Sequence, residues 1–394
     1  MRMTKTPALF LISALPFAVQ AANTEFSYGG YIKFDAAYSE YKDGDMAAAG
    51  LGRDFYVPST IPTGAANGTE SFDMHAKSSR FNLKAVTTLD NGEKLTSFIE
   101  MDFLGSAQGD ERITNGYSPR LRHAFFSYNN LTVGQTWSTF MNVGALPETV
   151  DFVGVSEGTV FMRQPLVRYT MGNLQLALEN PETTLNGSAA GNVTDDNTVP
   201  DVVARYNIKA GDHNFSVAAL GRQLRTQNTT TGNSKDATGF GVNVAGMLQL
   251  GRNDLKFSVA HGQLGRYVGL SAAADAVATT VEINNKIKIS GDIEATDVTA
   301  AFVAYRHFWT PQLRSTIAYS MLDADYGEKN TGLTEKSNSA RINLMYSPSK
   351  EITYGVEYSH AKREMDSSLD ASNNVVAGLD GSMNRLHFTA RYTF

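Results

Sequence analysis

A few groupings in this chain have residue types that could do chemistry. Gly154-Val155-Ser156-Glu157-Gly158 fits the G-x-S-x-G spacing of a nucleophile elbow, a motif that needs a strand before the serine and a helix after it. Neither flank has that form, because the segment lies in a loop and runs on into Thr159-Val160-Phe161. An esterase or lipase built on a barrel therefore stands only as the alternative from another functional class. The seven histidines (His75, His123, His213, His261, His307, His360 and His387) are scattered without paired ligand spacing. Asp323-Ala324-Asp325-Tyr326-Gly327-Glu328 has the acids of a calcium loop but not its full spacing. No metal, no cofactor and no enzymatic activity is expected.

The larger grouping is electrostatic. Arg80, Lys84, Arg168, Arg205, Arg314, Arg341, Arg385 and Arg391 stand on the polar side of segments whose apolar residues recur at every second position, the period of a strand. Arg120 and Arg122 join them in a segment of ambiguous phase, where Leu121, Phe125 and Phe126 do not choose one face. Glu100, Asp102, Glu179 and Glu357 share those polar sides. Arginine keeps its charge at any working pH and offers carboxylates a planar fork. Gathered in a confined passage, such groups would concentrate small anions. The other reading is that they pair with the neighbouring carboxylates and fill space; the residues leave both open.

One long loop bears on that passage. It spans 138–162, is closed by Arg163, which is expected to line the passage with the other basic residues, and carries Glu148, Asp151 and Glu157 with no lysine or arginine of its own. Val143, Leu146, Val150, Phe152, Val153, Val155, Val160 and Phe161 are too many apolar residues for a segment in solvent. Folded inward, the loop would narrow the passage and set its three acids across from the basic wall, producing a field that orients charged solutes.

These groups need elements to position them, and the C-terminus shows which. Leu386, Phe388, Ala390, Tyr392 and Phe394 alternate with His387, Thr389, Arg391 and Thr393, one face greasy and one wet, as in a transmembrane β-strand. Similar alternation recurs at 28–38, 81–85, 97–103, 174–178, 202–206, 240–250, 255–259, 298–302, 313–319, 340–346 and 352–358, with weaker segments between. Taking each apolar face as outward gives about sixteen strands, an even number as such barrels require. Short connections at 90–92, 129–130, 172–173, 209–212, 251–254, 310–311 and 348–350 alternate with long ones at 40–77, 104–117, 138–162, 181–198, 225–237, 264–294, 324–335 and 364–382. That is the pattern of short periplasmic turns and longer external loops, and a barrel of this size encloses an aqueous channel. The last strand is expected to pair with the first, Phe26 to Ser39, and close the cylinder. A soluble sandwich would also alternate. Mid-strand charges and the aromatics Tyr28, Tyr38, Tyr346, Tyr354, Tyr392 and Phe394 near strand ends favour the membrane.

The N-terminus has the form of a secretory signal: basic Arg2 and Lys5, a short apolar run from Pro7 to Val19, and small residues before Ala22. The expected domains are a cleaved signal peptide, 1–21, and one barrel, 22–394. Cleavage leaves 32 basic against 40 acidic residues, which argues against a nucleic-acid partner. With no cysteine, neither disulfides nor a thiolate metal site can stabilise the exported chain.

The stretches SSRFNLKA (Ser78 to Ala85), LRHAFFSYNNLTVGQTWSTF (Leu121 to Phe140) and LALENPET (Leu176 to Thr183) resemble the DcaP-like branch of bacterial outer-membrane porins. The resemblance covers nearly the whole mature chain, and its most specific part is the GQTWSTF start of the third long loop. It implies a sixteen-stranded homotrimer whose third loop constricts an arginine-lined eyelet favouring small anions such as dicarboxylates. It also implies that Tyr392 and Phe394 form the signal read by the outer-membrane assembly machinery, with lipid and lipopolysaccharide around the wall. Some relatives carry an N-terminal coiled coil that this sequence is not expected to have, which would leave trimer formation to the wall. A general, weakly selective porin is the alternative within transport.

Overall fold

The computed structural model describes residues 23–394 apart from 49, 106–113, 187–191, 194–196, 229–232, 284–285 and 328–329. The expected signal peptide lies outside the described residues. Sixteen antiparallel strands follow one another around a closed barrel: β1 (Thr24–Tyr41), β2 (Thr69–His75 and Arg80–Thr88), β3 (Lys94–Asp102), β4 (Arg120–Tyr128), β5 (Leu131–Trp137), β6 (Arg163–Met171), β7 (Leu174–Glu179), β8 (Asp201–Ala210), β9 (His213–Asn228), β10 (Ser234–Leu250), β11 (Asn253–Gly262), β12 (Asp297–Phe308), β13 (Leu313–Asp325), β14 (Thr334–Tyr346), β15 (Ile352–Met365) and β16 (Asp380–Thr393). β16 pairs with β1 from Tyr31↔Thr393 to Tyr41↔Met383, and the amides of Gly30 and Phe394 donate to each other's carbonyls at 3.3 and 3.1 Å. Closure leaves the sheet no edge. Among the described residues no helix is long and apolar enough to cross a membrane.

Side-chain alternation sets the two faces. On β14, Ile342, Leu344 and Tyr346 are exposed on the outside while Arg341, Asn343 and Met345 are buried inside. Tyr28, Tyr38, Tyr346, Tyr354, Tyr392 and Phe394 all lie exposed on the outer surface. The shortest turns rely on backbone that few side chains tolerate, as at Asn129 (φ 50°) between β4 and β5.

Three departures from simple alternation explain what the sequence left unclear. In β4, Glu100 pairs with His123 but Met101 pairs with Leu121, so Arg122 is the extra residue of a β-bulge. Leu121 and Phe126, an odd number of residues apart, therefore both face out, while Arg122 and His123 are both buried. β2 gains one residue between His75, opposite Asp35, and Arg80, opposite Tyr31. On β12 the apolar face points in, against expectation: Val298, Ala300, Phe302 and Ala304 are buried inside and Val303 is exposed outside.

The reason for that inversion is that loops fill this half of the interior. Phe140, Met141 and Val160 of the loop between β5 and β6 (L3) pack with Leu264, Tyr267 and Val268 of the loop between β11 and β12 (L6). Both press on small inner-face residues of the wall, Ala177, Ala218, Ala260 and Ala300. Tyr56 and Ile61 of the loop between β1 and β2 (L1) are buried against Tyr41, Ala361 and Met383. The excess of apolar residues in L3 marked it as inward; the structure adds L1 and L6.

Candidate channel and its constriction

L3 is built to stay inside. It leaves β5 at Ser138 and is tied to the wall strand by strand: the Thr139 amide donates to Glu179 Oε1 (2.7 Å), Asn142 Nδ2 to Ser216 Oγ (2.9 Å), and Asn243 Nδ2 to the Phe140 carbonyl (3.0 Å). Lys256 Nζ and Asn343 Nδ2 donate to the carbonyls of Leu146 and Glu148 (2.7 and 2.9 Å). Lys33 Nζ reaches the Val150 carbonyl (2.8 Å), and Glu357 accepts the Val150 amide (3.0 Å). The return limb is closer still. Gly158 donates to Ser320 Oγ (2.8 Å), and a Cβ there would fall 2.1 Å from the Ala301 carbonyl, so only glycine fits.

The loop's acids serve as anchors. Glu148 is held by Arg314 (Nε, 2.6 Å) and Arg306 (Nη1, 3.2 Å). Asp151 accepts the amides of Tyr56 (2.9 Å) and Gly154 (3.1 Å), with Arg385 at 4.0 Å and His387 at 3.9 Å. Glu157 accepts from Tyr56 OH (2.6 Å) and Ser339 Oγ (2.9 Å). Burial pushes Glu157 above the usual carboxylate range. Burial acts the same way on Asp151, but the charges of His387, Arg341 and Arg385 outweigh it and hold that carboxyl low. The expected arrangement, with three acids facing the arginines across water, is therefore corrected: all three point into the wall behind the loop.

L6 is clamped by a second buried network. Arg222 of β9 pairs with Asp275, and Arg266 Nη2 lies 3.0 Å from Asp201 Oδ2, which also accepts from Tyr267 OH (2.8 Å). Asp275 also accepts the amide of Thr184 in the loop after β7 (2.9 Å). In a low-dielectric interior, removing one member of such a network strands the opposite charge.

The sector of β2 to β4 is different. Here Arg80 of β2, Arg120 and Arg122 of β4 and Arg163 at the start of β6 gather around Glu100 and Asp102 of β3. Arg122 is enclosed, paired with Glu100 (2.8 Å) and Asp102 (2.9 Å). Arg120 binds Asp102 through Nε and Nη2 (2.9 and 2.8 Å) and remains one-third exposed. Arg80 lies 3.5 Å from Glu100. Arg163 has no carboxylate within ion-pair distance among the described residues and instead stacks 4.9 Å from the Trp137 ring. Four cations thus face two carboxylates. L3 meets them with an aromatic: the Phe152 ring lies 5.5 Å from the Arg122 guanidinium and 5.9 Å from that of Arg120.

The remaining basic residues divide by environment. Arg391 and Arg80 flank the Tyr31 ring at 5.8 and 5.1 Å, and Arg391 has no ion pair among the described residues. Lys84 is exposed near the short-turn end. Arg168 donates to Thr139 Oγ1 (2.8 Å), and Arg205 to Gln175 Oε1 and the Met141 carbonyl. Arg341 and Arg385 are buried behind L3, at 3% and 2% exposure, with Arg341 on Glu357 (3.0 Å) and Arg385 on Ser39 (2.8 Å). Arg306, inside the barrel, was missed because it shares a face with Val298, Ala300 and Phe302, which read as outward.

The G-x-S-x-G segment has a packing explanation. Ser156 is fully buried and donates to the Tyr56 carbonyl (3.2 Å). Gly154 supplies positive φ (75°) and Gly158 the close approach. His387 sits on Asp35 (3.0 Å) and His123 on Thr136 (3.0 Å). Asp325 caps the Gly327 amide (2.8 Å), while Glu328 lies outside the described residues. Among the described residues no group of three or more His, Asp or Glu is placed to hold a metal.

Comparison with known proteins places this barrel. The family model of the DcaP outer membrane protein matches residues 12–394. The outer membrane channel DcaP of Acinetobacter baumannii is 25% identical, with a TM-score of 0.72 over 94% of this chain and 97% of that one. An anion-selective porin from Comamonas acidovorans (13% identity, 94% and 100% covered, TM-score 0.55) shares the fold. So does the trimer form of OmpT from Vibrio cholerae (14%, 94% and 99%, TM-score 0.52). No curated protein matches. This chain belongs to the DcaP outer membrane protein family and is a porin of the bacterial outer membrane.

Proposed function

We propose that this porin passes small hydrophilic anions in preference to cations, with dicarboxylates as the fitting solute class, by passive diffusion through the space between L3 and the β2–β4 wall. The observation that carries this is the imbalance at Arg80, Arg120, Arg122 and Arg163 against Glu100 and Asp102. Fixed cations in a narrow, partly desolvated passage attract anions more strongly than the same charges in bulk water. Two guanidinium groups reachable at once suit a solute with two carboxylates. Arg391 and Lys84 extend the basic path toward the periplasm, and Arg168 and Arg205 serve both the wall and the loop. No step requires a bond to be made or broken. Reversal potentials in planar bilayers under a salt gradient test the reading: anion selectivity supports it, and equal permeability returns the protein to a weakly selective porin.

We propose further that it works as a homotrimer. β3 to β7 hold only six to nine residues each, below or at the lower limit of the roughly 9–11 that cross a bilayer. Leu121, Phe126, Val167, Leu176 and Leu178 stand exposed on that low wall. Contact with neighbouring copies would cover a sector that lipid fits poorly. The terminal Tyr392 and Phe394 are proposed as the assembly signal, and lipopolysaccharide as the neighbour of the outer rim.

A further inference from the structure

The outer wall holds a feature that channel function does not use. At the short-turn end of β12 to β16 lies a groove of about 480 Å³, lined mainly by Trp309, Leu313, Ser315, Ile342, Leu344 and Tyr358. Ser315 makes its floor. It is the small outward residue in a row of large ones, with Leu313, Ile317 and Tyr319 along the same strand face. Trp309 makes one side. Its indole leans over the floor, donating to Ser315 Oγ (3.0 Å), and its ring meets His307 edge-on at 4.4 Å. Beneath the groove the ladder is opened: the Thr316 amide donates to the Asn343 side chain (2.8 Å) rather than to the neighbouring backbone.

We propose that this groove holds one acyl chain of a phospholipid from the periplasmic leaflet. Three observations select that occupant. No lining residue is charged, and the wall around it faces the membrane. The depth matches one leaflet. Leu313 pairs with Tyr346 at the turn end, and Ile342, paired with Tyr358, lies four residues further along. At ~3.3 Å per residue the groove runs about 13 Å along the strand, which at the ~40° tilt of such barrels is about 10 Å of depth and stays within one half of the ~25 Å apolar band. It starts at the short-turn rim, the periplasmic side. The shape excludes a second copy of the chain. Another barrel presents a convex wall, which spans a groove without filling it, whereas a flexible hydrocarbon chain fits. Trp309 at the rim would sit at headgroup level, where indole rings are favoured.

The chain has two tryptophans, so Trp137→Phe leaves Trp309 as the only one, read by excitation selective for indole over the tyrosines. This variant is reconstituted in vesicles with increasing fractions of phosphatidylglycerol brominated along its acyl chains. A retained chain gives half-maximal quenching at a several-fold lower brominated fraction than in the same variant carrying Ser315→Phe, which fills the floor. Superimposable curves would mean ordinary contact with bulk lipid, and no quenching would mean that protein covers Trp309; either overturns the proposal. Leu344→Phe is the second filling variant should the first fail to fold. Native mass spectrometry after detergent exchange reads the same site independently. One phospholipid per chain, lost on filling the groove, is expected; retention of lipid A alone contradicts it.

Discussion

At the residue scale, position relative to L3 decides what each charged group does. Arg341 and Arg385 have the same type and strand period as Arg80 and Arg391, yet they are sealed behind the loop and act as its anchors. Nothing in their local sequence marks the difference, because it depends on where a distant segment comes to rest. The same holds for Glu148, Asp151 and Glu157, whose acidity suggested a face toward water. The two buried acids near Tyr56 should respond oppositely to neutralisation. Ionised Glu157 costs the fold free energy, because its folded-state pKa is raised; the cost is absent below the unfolded-chain value near 4.5 and complete above the folded one. Glu157→Gln is therefore expected to equal or exceed the wild type in thermal unfolding at neutral pH, with the gap closing as pH falls toward 4.5. Asp151, held low, stabilises the fold above its unfolded value of 3.8 and loses that contribution as pH falls. Asp151→Asn is expected to destabilise by about 1–3 kcal/mol at neutral pH. Unfolding midpoints followed by unheated gel mobility check both.

Elements were the most legible scale. The terminal strand, the seven short turns and the eight long connections all follow from alternation and turn residues, and L3 was identified by its excess of apolar side chains. What alternation could not supply was the direction of an apolar face where loops, rather than lipid, cover it. On β12 that turned the strand inside out on paper and hid Arg306. On β4 a one-residue bulge broke the phase that arithmetic assumes. L6 escaped notice because Gly265, Ala272, Ala273 and Ala274 look like loop residues although all are buried. Two substitutions test the seats of these loops. Gly158→Ala places a methyl against the Ala301 backbone and should unseat L3, raising single-channel conductance toward that of a barrel lacking 143–158; unchanged conductance in both would put L3 outside the conduction path. Asp275→Asn leaves the buried Arg222 with Asp201, 3.7 Å away, as its remaining carboxylate, so the loss should fall toward or below the low end of the about 3–5 kcal/mol seen when a buried pair is broken outright. It should produce conductance fluctuations as L6 leaves its seat, and a steady wild-type trace would assign the clamp no role in holding the loop.

For the whole molecule, sixteen strands supply a cylinder far wider than a small solute needs, and three inward loops reduce it. The reduction is one-sided. L3 and L6 cover the inner wall from β6 around to β16, and the β2–β4 sector is left lined by arginines in excess of acids. The proposed selectivity belongs to that sector rather than to the basic residues of the barrel as a set. The most direct test compares the wild type with Arg80→Gln/Arg163→Gln by zero-current potential in planar bilayers across a potassium chloride gradient, at low and high total salt. The account predicts anion selectivity in the wild type, stronger at low salt where the ~30 Å screening length at 0.01 M leaves the wall charge unscreened, and its loss or reversal in the double variant. A double variant as anion-selective as the wild type would contradict it.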